Sequence, residues 1–213
     1  MIETIISEKL IIMATLRDFF EGDETKLQEF VLKHNISEFI ETGTGLGDTV
    51  EFVRRSIMKI WSIEIIPEIA EKATKRFRND NSIRIINAES IHGLKMAIDK
   101  RDSGIMYFLD AHFPGADFGL RKYDECPDQG LRIPLEKEIK EIKRIRGKQI
   151  IRDVIICDDL RIYEDGPFDE GNWPLRSKLG GDNIDFIYDA FGNTHYIEKD
   201  YRWQGFLVIT PIK

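Results

Sequence analysis

The sequence is poor in cysteine: Cys126 and Cys157 are the only two in 213 residues. So few build no disulfide framework and suit a reducing compartment. Positive charge is also short, with 31 Lys+Arg against 38 Asp+Glu and a formal net charge of −7. That balance argues against wrapping a nucleic-acid backbone, which needs clustered cations. Long apolar runs are missing too. The apolar pieces near the amino terminus are interrupted by Glu3, Glu8, Lys9 and Arg17, leaving no signal-peptide core and no membrane span. There is no internal repeat and no low-complexity tract. The expectation is a soluble, cytoplasmic protein, monomer or homodimer, with a small-molecule partner.

What is present is enough apolar sequence for a core. Hydrophobic residues make up 42% of the chain and charged residues 32%, outside the ranges of disordered and membrane-embedded chains. A chain of 213 residues fits one domain of ordinary size better than two, and buries roughly 70% of its unfolded surface.

The periodicity alternates between strand and helix. Two helices are expected over 9–33, joined around Glu21-Gly22-Asp23. Strands follow at 37–41, 59–65, 82–87, 104–110 and 153–158, with helices from Asp48, from Pro67, at 89–99 and at 134–147 between them. A helix at 182–191 then precedes two strands, 194–201 and 205–211, close enough to pair as a hairpin. Strand–helix alternation implies parallel strands covered on both faces. The predicted fold is therefore a single α/β, Rossmann-like domain over 1–213. It has a seven-stranded, mostly parallel sheet, a carboxyl-terminal antiparallel hairpin and an amino-terminal helical cap over 1–35. Residues 36–110 form a cofactor-binding half and 111–213 a second half.

In such sheets ligands bind beyond the carboxyl ends of the strands, near the point where strand order reverses. That rule selects Glu41 to Gly47, Glu64, Ala88 to Ser90, Asp110 to Phe113 and Asp158 to Arg161. Gly43, Gly45 and Gly47 alternate with Thr44 and Leu46, so the backbone can turn tightly and approach a ligand. Asp48 and Thr49 then open a helix whose free N–H groups can face an anion. A purely structural turn is the alternative. The third glycine comes one residue too early for the dinucleotide fingerprint G-x-G-x-x-G, which argues against a nicotinamide dehydrogenase. Glu64 ends the second strand, where a carboxylate can accept both hydroxyls of a ribose; a solvated strand-end acid is the plainer reading. Glu89 and Ser90 can reach a base edge or simply cap a helix.

The run E-T-G-T-G-L-G, the acid of S-I-E-I and the following A-E-S resemble the cofactor half of class I S-adenosylmethionine-dependent methyltransferases. The resemblance implies that Glu41, Gly43, Thr44, Gly45, Gly47, Asp48 and Thr49 hold the methionine part. It places Glu64 and Ile65 at the ribose and Ala88, Glu89 and Ser90 at the adenine, with Asp110 beside them. Ala88-Glu89 departs from the Gly-Asp pair common there.

Asp110 closes the fourth strand, and Asp158-Asp159 close the fifth. If those strands flank the switch point, three carboxylates converge and repel one another unless a cation joins them. Hard oxygen ligands suit Mg²⁺, with Mn²⁺ possible; caps and a generic polar residue are the alternative. The trio is similar to the metal ligands of the catechol and macrocin O-methyltransferase groups. The combination FLDAH, PLEKEI and VIICDDLR also resembles small methyltransferases encoded among glycan-building enzymes. The resemblance implies a metal-dependent O-methyltransferase acting on a sugar hydroxyl, a deoxyhexose of a glycan. A catechol or small phenol as acceptor, or a non-catalytic cofactor-binding module, are the rival readings. His112, and Asp110 itself, are the candidate bases; backbone contact or cofactor positioning is the other role for His112. Phe113, Arg161, Tyr163 and Trp173, on two long loops, are candidate acceptor contacts. The basic stretch 136–152 reads as a solvated helix laced by i,i+4 pairs, or as a surface for an anionic carrier.

Overall fold

The computed structural model describes residues 15–99, 102–116, 118–120, 122–173 and 183–212. The helical expectation over 9–14, and the loop and helix start between 174 and 182, lie outside the described residues.

Seven strands form one sheet: β1 (Ile36–Thr42), β2 (Ile60–Glu64), β3 (Ile83–Asn87), β4 (Gly104–Leu109), β5 (Val154–Cys157), β6 (His195–Asp200) and β7 (Phe206–Pro211). Their order is β3-β2-β1-β4-β5-β7-β6. The first five are parallel, and β7 enters antiparallel between β5 and β6. Strand order reverses between β1 and β4. Asp110 therefore stands at the switch point, while Asp158 and Asp159 lie one strand further out. This corrects the premise that β4 and β5 flank it.

Helices cover both faces, because parallel strands need them there. They are α1 (Leu16–Phe19), α2 (Glu24–Lys33), α3 (Asp48–Val53), α4 (Pro67–Phe77), α5 (Ser90–Ala97), α6 (Gln129–Arg132), α7 (Leu135–Arg146) and α8 (Asp185–Phe191). Successive strand residues go to opposite layers, as a period of two requires. Met106, Phe108, Val154 and Ile156 join Leu16, Leu27, Val50 and Phe77 on one face. Tyr107, Leu109, Ile155 and Cys157 join Leu94, Ile139, Ile142 and Ile187 on the other. Pro67 opens α4, where a missing N–H costs nothing. Asp23 caps α2 through the N–H groups of Thr25 and Lys26. No helix among the described residues is long and apolar enough to cross a membrane.

The amino-terminal edge of the sheet is tied by charge. Arg146 ends the buried stripe of α7 and is 1% exposed. Its Nε and Nη2 donate to the two carboxylate oxygens of Asp153 at 2.6 and 2.8 Å. Its remaining donors reach the carbonyls of Asp99 and Ser103 at 2.9 and 2.6 Å. Asp153 in turn accepts the N–H of Ile105 in β4. Every oxygen of the pair has a donor, which is what keeps a desolvated ion pair from being a net cost. Truncation strands the carboxylate. Arg146→Ala should destabilise the fold by roughly 3–5 kcal/mol in urea unfolding, and a loss below about 1 kcal/mol would show that the pair is not a staple.

Candidate active site

A cavity opens at the carboxyl ends of β1 to β4. Its volume is about 90 Å³, below the roughly 300–1,000 Å³ usual for small-molecule sites. Gly43, Gly45, Glu64, Ile65, Ala88, Glu89, Ser90 and Asp110 line it, together with His112, Phe113 and Phe118.

The glycine loop forms one wall. Gly43 and Gly47 have φ of +86° and +84°, and an added Cβ would lie 2.5 Å from the Asp110 carbonyl oxygen and 2.6 Å from the Phe77 ring respectively. Only glycine lets the loop pass between the end of β4 and α4. Beneath it, Ser62 donates to Glu41 at 2.5 Å, Thr49 donates to the same carboxyl, and the hydroxyls of Thr44 and Ser62 stand 2.6 Å apart. Burial pushes Glu41 up to about 8 in spite of these donors. Glu41, Thr44, Gly47, Asp48 and Thr49 thus support the loop and do not line the cavity. Asp48 faces outward to Arg76 at 2.7 Å.

Glu64 closes the floor. Its two carboxylate oxygens accept the N–H groups of Gly45 at 3.1 Å and Ile66 at 2.9 Å. Burial raises its pKa against these bonds. Each oxygen keeps a second lone-pair direction for a ligand hydroxyl. Asn87 donates to the carbonyls of Glu64 and Ile65, and the Ala88 N–H donates to Glu64, so the ends of β2 and β3 are clamped. Glu89 takes the N-cap position of α5 without a side-chain cap, and Ser90 is buried.

The three aspartates cluster around Asp110, the one of them that lines the cavity. Asp158, 7% exposed, is hydrogen-bonded with the Asp110 carboxyl, and its Oδ1 has no hydrogen-bond partner. Burial first, then the charge of Asp159, pushes Asp158 well above the usual carboxylate range. Two carboxyls in contact need a proton or a cation between them. Asp159, in a left-handed conformation at φ 54°, offers one oxygen to His112 Nε2 and the other to Arg161 Nε at 3.3 Å. His112 Nδ1 stands 3.0 Å from the Asp110 carbonyl oxygen, so both ring nitrogens face acceptors.

The hard oxygens and the orphaned atom of the Asp110–Asp158 pair fit a divalent ion. Asp159 already faces nitrogen donors on both oxygens. Among the described residues, no three His, Cys, Asp or Glu side chains are arranged to hold a metal. The expected trio converges, but not as an open three-carboxylate donor set.

The long loops touch across this cluster. Phe113, at φ 41°, stacks on Trp173 with centroids 5.5 Å apart and planes 12° apart. Tyr123 meets both rings edge-on, and the Arg161 guanidinium lies 5.1 Å from the Trp173 centroid. Tyr163 is not brought to the cavity. It is buried against Phe186, at the separate depression beside α6, α7 and α8.

Glu138 is a residue that the sequence reading passed over. It sits on α7, 1% exposed, facing the hydroxyls of Ser90 and Thr42. Burial pushes it up to about 7. Its signal was spacing: it occupies one position of the buried stripe Leu135, Glu138, Ile139, Ile142, Arg146, where a charge is out of place.

No protein-family model matches the sequence, and no curated protein does. Solved structures do match. An SAH-bound methyltransferase from Podospora anserina superimposes with a TM-score of 0.55 at 14% identity, over 89% of this chain and 78% of that one. An O-methyltransferase from Bacillus cereus in complex with SAH gives 0.55 at 13%, over 90% and 81%. A methyltransferase from Geobacter sulfurreducens gives 0.53 at 12%, over 90% and 79%. The chain has their Rossmann-like methyltransferase fold.

The raised carboxyl of Glu41 makes a pH prediction. A carboxyl that binds its proton more tightly folded than unfolded stabilises below its unfolded pKa, and that contribution is lost as pH rises through the folded value. For Glu41 the window runs from 4.5 to about 8; Glu138 and Asp153, raised to about 7 and about 6, act with the same sign. Thermal melts should show Tm falling between about pH 5.5 and about pH 8.5, and falling less in Glu41→Gln. An equal fall in both proteins would reject the assignment.

Proposed function

We propose that the protein is an S-adenosylmethionine-dependent O-methyltransferase acting in the cytoplasm on a sugar hydroxyl, a (deoxy)hexose of a glycan. One observation carries this reading: one cavity is lined by the glycine loop, Glu64, the Glu89-Ser90 turn, Asp110 and His112, with Asp159 behind His112. The methyltransferase fold supports it, and the two buried free cysteines agree with a reducing compartment.

The donor's methionine part lies against Gly43 and Gly45, its ribose hydroxyls against Glu64, and its base against Ala88, Glu89 and Ser90. The sulfonium methyl then points toward Asp110. The aromatic wall of Phe113, Tyr123 and Trp173 stacks on the apolar face of the sugar, and Arg161 holds an acceptor oxygen. Transfer is an in-line displacement. The acceptor oxygen bonds to the methyl carbon as the carbon–sulfur bond breaks, leaving SAH. The acceptor proton passes to the His112–Asp159 pair, with the Asp110 carboxyl 3.5 Å from Nδ1 to help hold the imidazolium. Mg²⁺ or Mn²⁺, held by Asp110 and Asp158, would supply Lewis acidity that lowers the pKa of the acceptor hydroxyl. Position and proton removal are the chain's own contribution.

The test compares ligand binding and turnover. SAH should raise Tm where NAD does not. Labelled methyl from the donor should reach sugar hydroxyls in an acceptor panel. Asp158→Ala should lose at least about 100-fold in turnover and still bind SAH. A wild-type protein indifferent to SAH would overturn the cofactor reading. Methylation of catechols alone would replace the acceptor. Full activity of Asp158→Ala in the presence of a chelator would remove the aspartates from the chemistry.

A further inference from the structure

Behind the cavity lies a polar cluster that the methyl-transfer step does not use. Thr42 ends β1, Ser90 begins α5 and Glu138 sits in the first turn of α7. Their exposures are 0%, 7% and 1%. Oγ1 of Thr42, Oγ of Ser90 and Oε1 of Glu138 are each buried without an aligned hydrogen-bond partner. These three polar atoms from three elements converge, with the two hydroxyls as the donors within reach of the carboxyl. Thr42 and Glu138 are shut off from the cavity. Ser90 is the cluster's member on the cavity wall; Glu138 and Thr42 stand behind it.

The chemistry of the set fixes what Ser90 presents to the cavity. A carboxylate only accepts, so the hydroxyl beside it turns its hydrogen inward. A hydroxyl so turned presents lone pairs to the cavity and selects a donor there. We propose that Glu138 is a positioning residue that makes Ser90 read the exocyclic amine of the cofactor's base, favouring a 6-amino purine over a 6-oxo one. This rests on the donor reading above and deepens it. Cys157 and Tyr163 are the other titratable groups that feel the Glu138 charge; neither carries a counter-charge that would compete for the carboxylate.

The test is a ratio of affinities. Calorimetry measures Kd for SAH and for S-inosylhomocysteine, which carries a 6-oxo group, in the wild type, Ser90→Ala, Glu138→Leu and Glu138→Gln. The wild type should prefer SAH by at least about tenfold, one hydrogen bond's worth. Ser90→Ala and Glu138→Leu should bring the two ligands to within about threefold of each other. Glu138→Gln, which keeps an acceptor oxygen, should retain most of the preference. A merely structural carboxyl would alter stability in Glu138→Leu and leave the ratio alone. A wild type that binds SAH without preference, or a Glu138→Leu protein that keeps it, would overturn the inference while sparing the function. Should Glu138→Leu fail to fold, Ser90→Ala decides: an unchanged ratio there overturns the inference too. Failure of the wild type to bind SAH would overturn both.

Discussion

The close passage of Gly43 against Asp110 is the constraint on which the site depends. β1 and β4 are neighbours at the switch point, and the Asp110 N–H donates to the Thr42 carbonyl at 3.0 Å. The two chains diverge directly after that bond, one into the glycine loop and the other into the His112 loop. A side chain at 43 would strike the Asp110 backbone, so the strand ends could not stay in register. The cavity is the gap left between these diverging loops, and its walls are set by backbone hydrogen bonds. Side chains then decide what the gap prefers.

Charge is placed in depth as well as around the rim. Arg146 and Asp153 neutralise each other at the amino-terminal edge of the sheet. Glu41, Glu64 and Glu138 lie at the carboxyl edge with no cation among the causes that set their pKa values, and burial lifts all of them. One end of the sheet is thus stapled, while the other stores acidic groups whose protons are held tightly. Desolvated acceptors at the ligand edge cost stability and supply directional hydrogen bonding, the usual exchange at a functional site.

Much of the fold was legible because its signals are periodic. The strand GIMYFL buries every residue, and its alternation feeds two cores; no other local structure accommodates six apolar residues in that way. The glycine loop was legible because φ near +85° is a glycine requirement. Direction within the site was not. Glu41 reads like a ligand contact, yet Ser62, twenty-one positions away in sequence, captures it beneath the loop. Tyr163 belongs to a loop beside the aspartates but turns into the core. The engagement of Asp159 by both His112 and Arg161 depends on a left-handed backbone at 159, which composition does not announce. Glu138 was hidden by its setting among surface lysines and glutamates, although its place on the apolar stripe marked it.

Phe113 has the last consequence. Its ring lines the cavity and is also the stacking partner of Trp173 on the opposite loop, while its backbone holds a conformation uncomfortable for so bulky a residue. A single residue therefore belongs both to the cavity lining and to the aromatic stack. Neither can be remodelled without the other, and drift in the loop carrying Trp173 must be answered at position 113.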